Sequence, residues 1–329
     1  MTAKPQLDLE AVREWLTAYH GPQKPVSELE ALDGGYWSKA FGYRLLGDTP
    51  TDLVVRFSGQ AEGYRIDQQA YQFAASGLPV PEVLAIGEAL GQFFAVSRRL
   101  SGKFIEVAPV EQRSQICSTL SALLAKLRAN RFCDAHNKPV VEWYEAPDQG
   151  VASWWQWLRL GLGESAQQPL ALWRSQLPDY PELEQLFVRT LARIDQLKAH
   201  IPERRDLVHG DLLHQNVLVN DDGTEVTGIF SWKCSAFGDF LYDVAWCTLW
   251  ASWFPALDAD DLWQRTLKAK DLSPDDLQDA ALRHHCYELQ IAASHLGWFI
   301  TSDDETNRRR LMPQLQALLD AGPRSQGLV

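Results

Sequence analysis

Residues 207–219 read LVHGDLLHQNVLV, and residues 228–232 read GIFSW. The first stretch joins an apolar strand to a hairpin through a loop that holds His209, Asp211 and Asn216. An Asp followed five residues later by an Asn that enters a strand suits in-line phosphoryl transfer. The carboxylate can accept the proton of an attacking hydroxyl, and the amide oxygen can ligate a magnesium ion held against nucleotide phosphates. Ordering of a turn is the plain alternative for Asp211, but Gly210 before it, Asn216 after it and the hairpin beyond favour catalysis. His209 reads as a brace of the loop rather than as a base.

Working outward, VLVN (217–220) and EVTGIF (225–230) are strand signals around the turn DDG. Downstream, helices are expected at 182–200, 241–254, 259–270, 275–300 and 304–320. Upstream, 151–161 and 110–132 are also helical, the latter with Ile116, Leu120, Leu123, Leu124 and Leu127 at helical spacing. Residues 8–19 form another helix, 26–46 a strand, Gly turn and strand, and 51–59 a third strand. A helix stopped by Gly77 follows over 65–77, then two strands around a turn at Gly87–Gly91. The fold class is therefore α+β: a β-rich lobe over 1–98 and a mainly helical lobe over 99–329, connected near Ser97 to Lys103.

With 329 residues the chain is long enough for two such lobes. A net charge of −12 argues against a general nucleic-acid or anionic-membrane binder and would help attract a cationic substrate. Five widely spaced cysteines form no CxxC pair, which fits buried reduced thiols in a cytoplasmic protein; Cys133 is one of them. The N-terminus lacks a basic start followed by an apolar run, and VAWCTLWASWFPAL (244–257) is too short to span a bilayer. Thirteen tryptophans, many after residue 140, read mainly as filling for a helical core.

HGDLLHQNVLV, followed by GIFSWKCSAFGDFLYDVAW (228–246), resembles the catalytic region of aminoglycoside phosphotransferases, most closely the hygromycin B phosphotransferase branch. LDGGYWSKAF (32–41) resembles that family's phosphate-covering turn, LVVRF (53–57) its third strand, GLPVPEVL (77–84) its lobe-spanning segment and SRRLSG (97–102) its hinge. The resemblance implies a two-lobed protein-kinase-like fold and a magnesium-dependent enzyme using ATP or GTP. It makes Asp211 the catalytic base and Asn216 a metal ligand. Ser38 would lie under the nucleotide phosphates and Arg56 would contact them. Backbone near Ser97 and Arg99 would hold adenine, and His209, Asp239 and Asp243 would give structural support. Asp67 is the nearest acidic partner for Arg56, although a solvated helix charge explains it equally well.

The main departure from the family is Ser231, where an I-D-W-like step would carry the second metal-ligating Asp. A serine hydroxyl is neutral and a weaker ligand. Three readings stay open: an impaired active kinase, a natural non-catalytic binder, or compensation by Asp239 or Asp243. The expected acceptor is a small hydroxylated, cationic molecule such as an aminoglycoside, with a metabolic small-molecule kinase as the rival and a monomer or dimer as the assembly. Glu288 and Trp298, inside a late helix, are the acceptor candidates, because carboxylates and aromatic faces suit a polyamine sugar. Asp258, Asp260, Asp261, Asp275, Asp276, Asp303 and Asp304 stand at helix starts, where capping competes with ligand binding.

Overall fold

A computed structural model of the chain describes residues 4–35, 37–130, 153–163 and 171–325. Cys133, the end of the helix expected over 110–132 and the start of that at 151–161 lie outside the described residues. In chain order the first elements are α1 (Leu9–His20), β1 (Glu30–Leu32), β2 (Lys39–Leu45), β3 (Thr51–Ser58) and α2 (Glu62–Ala70). Next come β4 (Val83–Ala89), β5 (Gln92–Arg98), β6 (Lys103–Phe104), α3 (Arg113–Ala129), α4 (Trp154–Gly161), α5 (Ala171–Arg174) and α6 (Pro181–Leu197). The hairpin region holds β7 (Asp206–Val208), β8 (Val217–Val219), β9 (Val226–Ile229) and β10 (Ala236–Gly238). Five helices close the chain: α7 (Leu241–Trp250), α8 (Ala259–Leu267), α9 (Pro274–Leu277), α10 (Ala280–Thr301) and α11 (Glu305–Ala321).

Two compact units emerge, Met1–Thr119 with Asp211–Ser235, and Leu120–Gly210 with Ala236–Val329. They do not follow a single cut after residue 98. Strand β8 pairs with β6 and β9, and Ile229 N–H donates to the Pro79 carbonyl at 2.9 Å, so residues 211–235 join the N-terminal part.

The first unit is built on an antiparallel sheet of order β1-β2-β3-β5-β4. Period-2 alternation along β3 sends Leu53, Val55 and Phe57 to one face, where Val12 and Leu16 of α1 join them in an apolar core. Arg56 points to the other face from this central strand. Its register partners are Ala40 and Ala95, whose small side chains leave room for a guanidinium.

In the second unit α10 packs against α6, α7 and α11, and β7 pairs with β10. Trp154, Trp173, Trp250 and Trp263 are fully buried there, in line with the core reading of these rings. The helix expected over 275–300 is two helices. Ser273 and Asp276 form a reciprocal capping box at α9, and Asp279 turns into left-handed backbone (φ 52) before α10 begins. No Gly or Pro marks that break, so apolar periodicity alone ran through it.

Candidate active site

Asp211 opens a loop that carries two consecutive residues in left-handed backbone, His214 (φ 65) and Gln215 (φ 68). Such backbone costs a side-chain-bearing residue about 1–2 kcal/mol, so contacts from outside must hold it. The Gln215 N–H donates to Glu106 Oε1 at 2.8 Å. Asn216 Nδ2 donates to the carbonyls of Asp211 (2.9 Å) and Leu213 (3.0 Å), which closes the loop. Both amide protons are thereby used, and Oδ1 is the atom left to ligate a cation. Asp211 Oδ1 lies 3.0 Å from His214 Nδ1. Burial raises the Asp211 pKa above its ordinary value, opposed by the hydrogen bonds from His214 and Asn216.

The Asn216 carbonyl accepts the Phe230 N–H at 2.9 Å, which ties the loop to the segment carrying residue 231. Ser231 itself is in left-handed backbone, φ 63 and ψ 58. Asp and Asn are among the side-chain-bearing residues most at ease there, so this backbone would also accommodate an aspartate. One residue on, the Trp232 N–H donates to Asp67 Oδ1 at 2.9 Å. The other oxygen of Asp67 pairs with Arg56 Nη2 at 2.7 Å, both groups being largely shielded from water. Asp67 is thus the partner of Arg56 rather than a solvated helix charge. Burial alone would lower the Arg56 pKa, but Asp67 and Tyr64 together outweigh it and hold the guanidinium charged.

The turn before β2 has positive φ at Gly34 (98) and Gly35 (65), conformations glycine adopts without strain. A Cβ on Gly35 would come 3.3 Å from both the carbonyl and the hydroxyl oxygen of Ser38, so Ser38 folds back onto this turn. Ser97 is buried in β5 opposite Val54. Arg98 N–H donates to the Glu82 carbonyl and Arg99 N–H to the Asp52 carbonyl, while the Arg99 guanidinium pairs with Glu30 at 2.7 Å.

In the second unit, the N–H groups of His209 and Gly210 both donate to the Asp243 carboxylate at 2.8 Å. Asp239 is fully buried and receives two bonds from Arg283 and one from the Tyr287 hydroxyl, each 2.8 Å. Both carboxylates brace the strand end and the helix starts. Glu288 is buried in α10; Thr248 donates to it at 2.8 Å and Arg324 lies 3.4 Å away. Burial raises its pKa, against the pull of Arg324. Trp298 is half-buried on the same helix. Asp258 caps α8 and Asp304 caps α11, which is the capping role weighed for these acids.

Lys4, Glu106, His214 and Gln215 escaped sequence reasoning. Glu106 lies 109 residues from the amide it holds and Lys4 bonds a turn 30 residues away, so no local pattern announces either. Cys117, Cys247 and Cys286 are buried, whereas Cys234 is exposed, contrary to the expectation of buried thiols throughout. Among the described residues, no group of three or more His, Cys, Asp or Glu could hold a metal, and no helix is long and apolar enough to cross a membrane. The donors fit magnesium only in part: Asn216 Oδ1 is free for it, but Ser231 brings no charge.

A paired basic residue on the central strand, a glycine turn and an Asp-to-Asn loop joined to a hairpin define a protein-kinase-like phosphotransferase scaffold. The sequence profile of the phosphotransferase enzyme family matches residues 28–282. The chain belongs to that family. It is 26% identical over 257 residues to hygromycin-B 4-O-kinase from Escherichia coli, covering 78% of this chain and 71% of that protein. Among solved structures it resembles a thermostable mutant of aminoglycoside phosphotransferase APH(4)-Ia, in ternary complex with AMP-PNP and hygromycin B. The TM-score is 0.73 at 21% identity, over 95% of this chain and 99% of the other. Spectinomycin phosphotransferase APH(9)-Ia, in complex with ADP and spectinomycin, shares the fold more distantly, with a TM-score of 0.57 at 11% identity over 96% and 98% of the two chains.

Proposed function

We propose that this chain is an ATP- or GTP-dependent O-phosphotransferase for a hydroxyl of a small cationic molecule such as an aminoglycoside of the hygromycin type. The observation that carries the reading is one continuous set of bonds within the first unit: Asp211 to Asn216, Asn216 to Phe230 beside Ser231, Trp232 to Asp67, and Asp67 to Arg56. Asp211 takes the proton of the acceptor hydroxyl as the phosphoryl group is transferred, and its raised pKa suits a base that must release that proton again. Arg56 forks onto nucleotide phosphates without losing its charge, and Ser38 with the Gly34–Gly35 turn lies over them. Asn216 and position 231 would hold magnesium, which would supply charge neutralisation at the phosphates. The functional division after residue 98, nucleotide before and acceptor after, belongs to the same proposal, with Glu288 and Trp298 on the acceptor side.

Ser231 favours a second reading, a silent binder or an impaired enzyme, because its hydroxyl brings a cation no charge. The deciding experiment measures magnesium-nucleotide binding and phosphate transfer for the chain and for Ser231→Asp, across a panel of aminoglycosides. Restoring the carboxylate is expected to raise kcat on the order of 100-fold, the scale on which single preorganised charge-stabilising groups act. If Ser231→Asp gives neither tight nucleotide binding nor transfer to any alcohol, the phosphotransferase reading is lost. Growth protection against hygromycin then separates resistance from metabolism.

A further inference from the structure

The Gly34–Gly35 turn is gripped from two sides by residues far from it in sequence. Lys4 Nζ donates to the Gly34 carbonyl at 2.8 Å and to the Gly35 carbonyl at 2.9 Å. In a trans peptide the C=O and N–H point in opposite directions. Drawing the Gly34 carbonyl toward Lys4 therefore turns the Gly35 N–H away from it. Gln215 supports the turn separately: a methyl group at Gly34 would come 2.3 Å from its Oε1 and 3.2 Å from its Cδ, so only glycine permits so close an approach. Gln215 is itself pinned, because its N–H is held by Glu106 and its backbone is left-handed. It also directly precedes Asn216.

Two adjacent glycines would otherwise sample many conformations, and a loose turn must be ordered anew each time a ligand arrives. We infer that Lys4 and Gln215 are positioning residues that preorganise the Gly34–Gly35 turn for the phosphate chain of a nucleotide. Neither touches the reacting atoms in this role. Lys4 aims carbonyls away from the anion, and Gln215 couples the turn to the loop bearing Asp211 and Asn216. The inference rests on the nucleotide-binding reading and adds a directional expectation: the two residues matter for phosphates and not for the nucleoside.

The test compares Lys4→Met, which keeps the stem and removes the donors, with Gln215→Gly, which removes the side chain while tolerating the left-handed backbone. Lys4→Arg serves as the conservative rescue. Each is titrated with magnesium plus AMP-PNP, with ADP and with adenosine, in the chain as it stands and with Ser231→Asp. Both variants are expected to weaken AMP-PNP about tenfold, equivalent to ~1.4 kcal/mol, and to leave adenosine unchanged. Lys4→Arg should recover most of the AMP-PNP affinity. Equal weakening of adenosine and AMP-PNP, or no change in either, overturns the inference and leaves the nucleotide-binding reading intact. Absence of AMP-PNP binding in both backgrounds removes that reading, and the inference with it.

Discussion

A hydroxyl at position 231 lends a cation a lone pair but no charge, and its left-handed backbone is what an Asp would have found comfortable. At the same scale, Asp211 must be ionised to act as a base, and its pKa is raised by burial but held down by His214. Replacing His214 by Gly, which accepts the positive φ, removes that restraint. The folded carboxylate then titrates at higher pH, so the acidic limb of kcat/KM should move to higher pH while the plateau above it is retained. A profile measured in the Ser231→Asp background that stays in place would show that Asp211 does not set this limb. The pattern Asp211 to Asn216 was legible because both ends of it lie on one short loop. Pairing of Arg56 with Asp67 was legible only as one of two equal readings, since the helix segment 64–73 lacks the Glu the resemblance leads one to expect. Deviation at Ser231 could be read only because the flanking motif located it.

Among the elements, α10 shows where pattern and packing disagree. Gly297 lies inside the helix, where alanine would ordinarily be preferred by about 1 kcal/mol. A Cβ there would stand 2.3 Å from the Trp173 ring, which is itself fully buried and cannot yield. Overpacking of this kind costs typically ~1–3 kcal/mol, so Gly297→Ala should destabilise despite the gain in propensity, visible as a lower Tm and a lower denaturation midpoint at unchanged m. An increase in Tm would mean that the ring has room to move. Helical periodicity placed α10 well, yet it missed the break at Asp279 and the short strand β10, whose three residues carry too little pattern to register. Strands β2, β3 and β5, with apolar alternation and turn signals on either side, were readable in advance.

At the level of the whole molecule, the charge of −12 sets a field that a cationic acceptor would feel before it arrives. The KM for a polyamine sugar should rise roughly tenfold as ionic strength is taken from low to about 0.5 M, because exposed charges are then screened within a few ångström. An uncharged alcohol acceptor should show no such trend. If both respond alike, the acidic surface serves solubility rather than capture. Charge balance was open to inspection from composition, whereas the grouping of residues was not. The long-range bonds from Lys4, Glu106 and Pro79 that gather the first unit are invisible to any window along the chain.

That first unit is discontinuous: Asp211–Ser235 belongs with Met1–Thr119 and is separated from it by 91 intervening residues, 120–210. A ribosome adding about 5–20 residues per second delivers the missing segment several seconds after the sheet strands have emerged. During that interval β6 lacks its neighbour β8 and the Pro79 carbonyl lacks its partner, so the first unit waits for its completing piece. Truncations ending before residue 235 should therefore yield aggregation-prone fragments rather than a free-standing nucleotide-binding half, and any plan to express that half must splice the late segment back onto the early one.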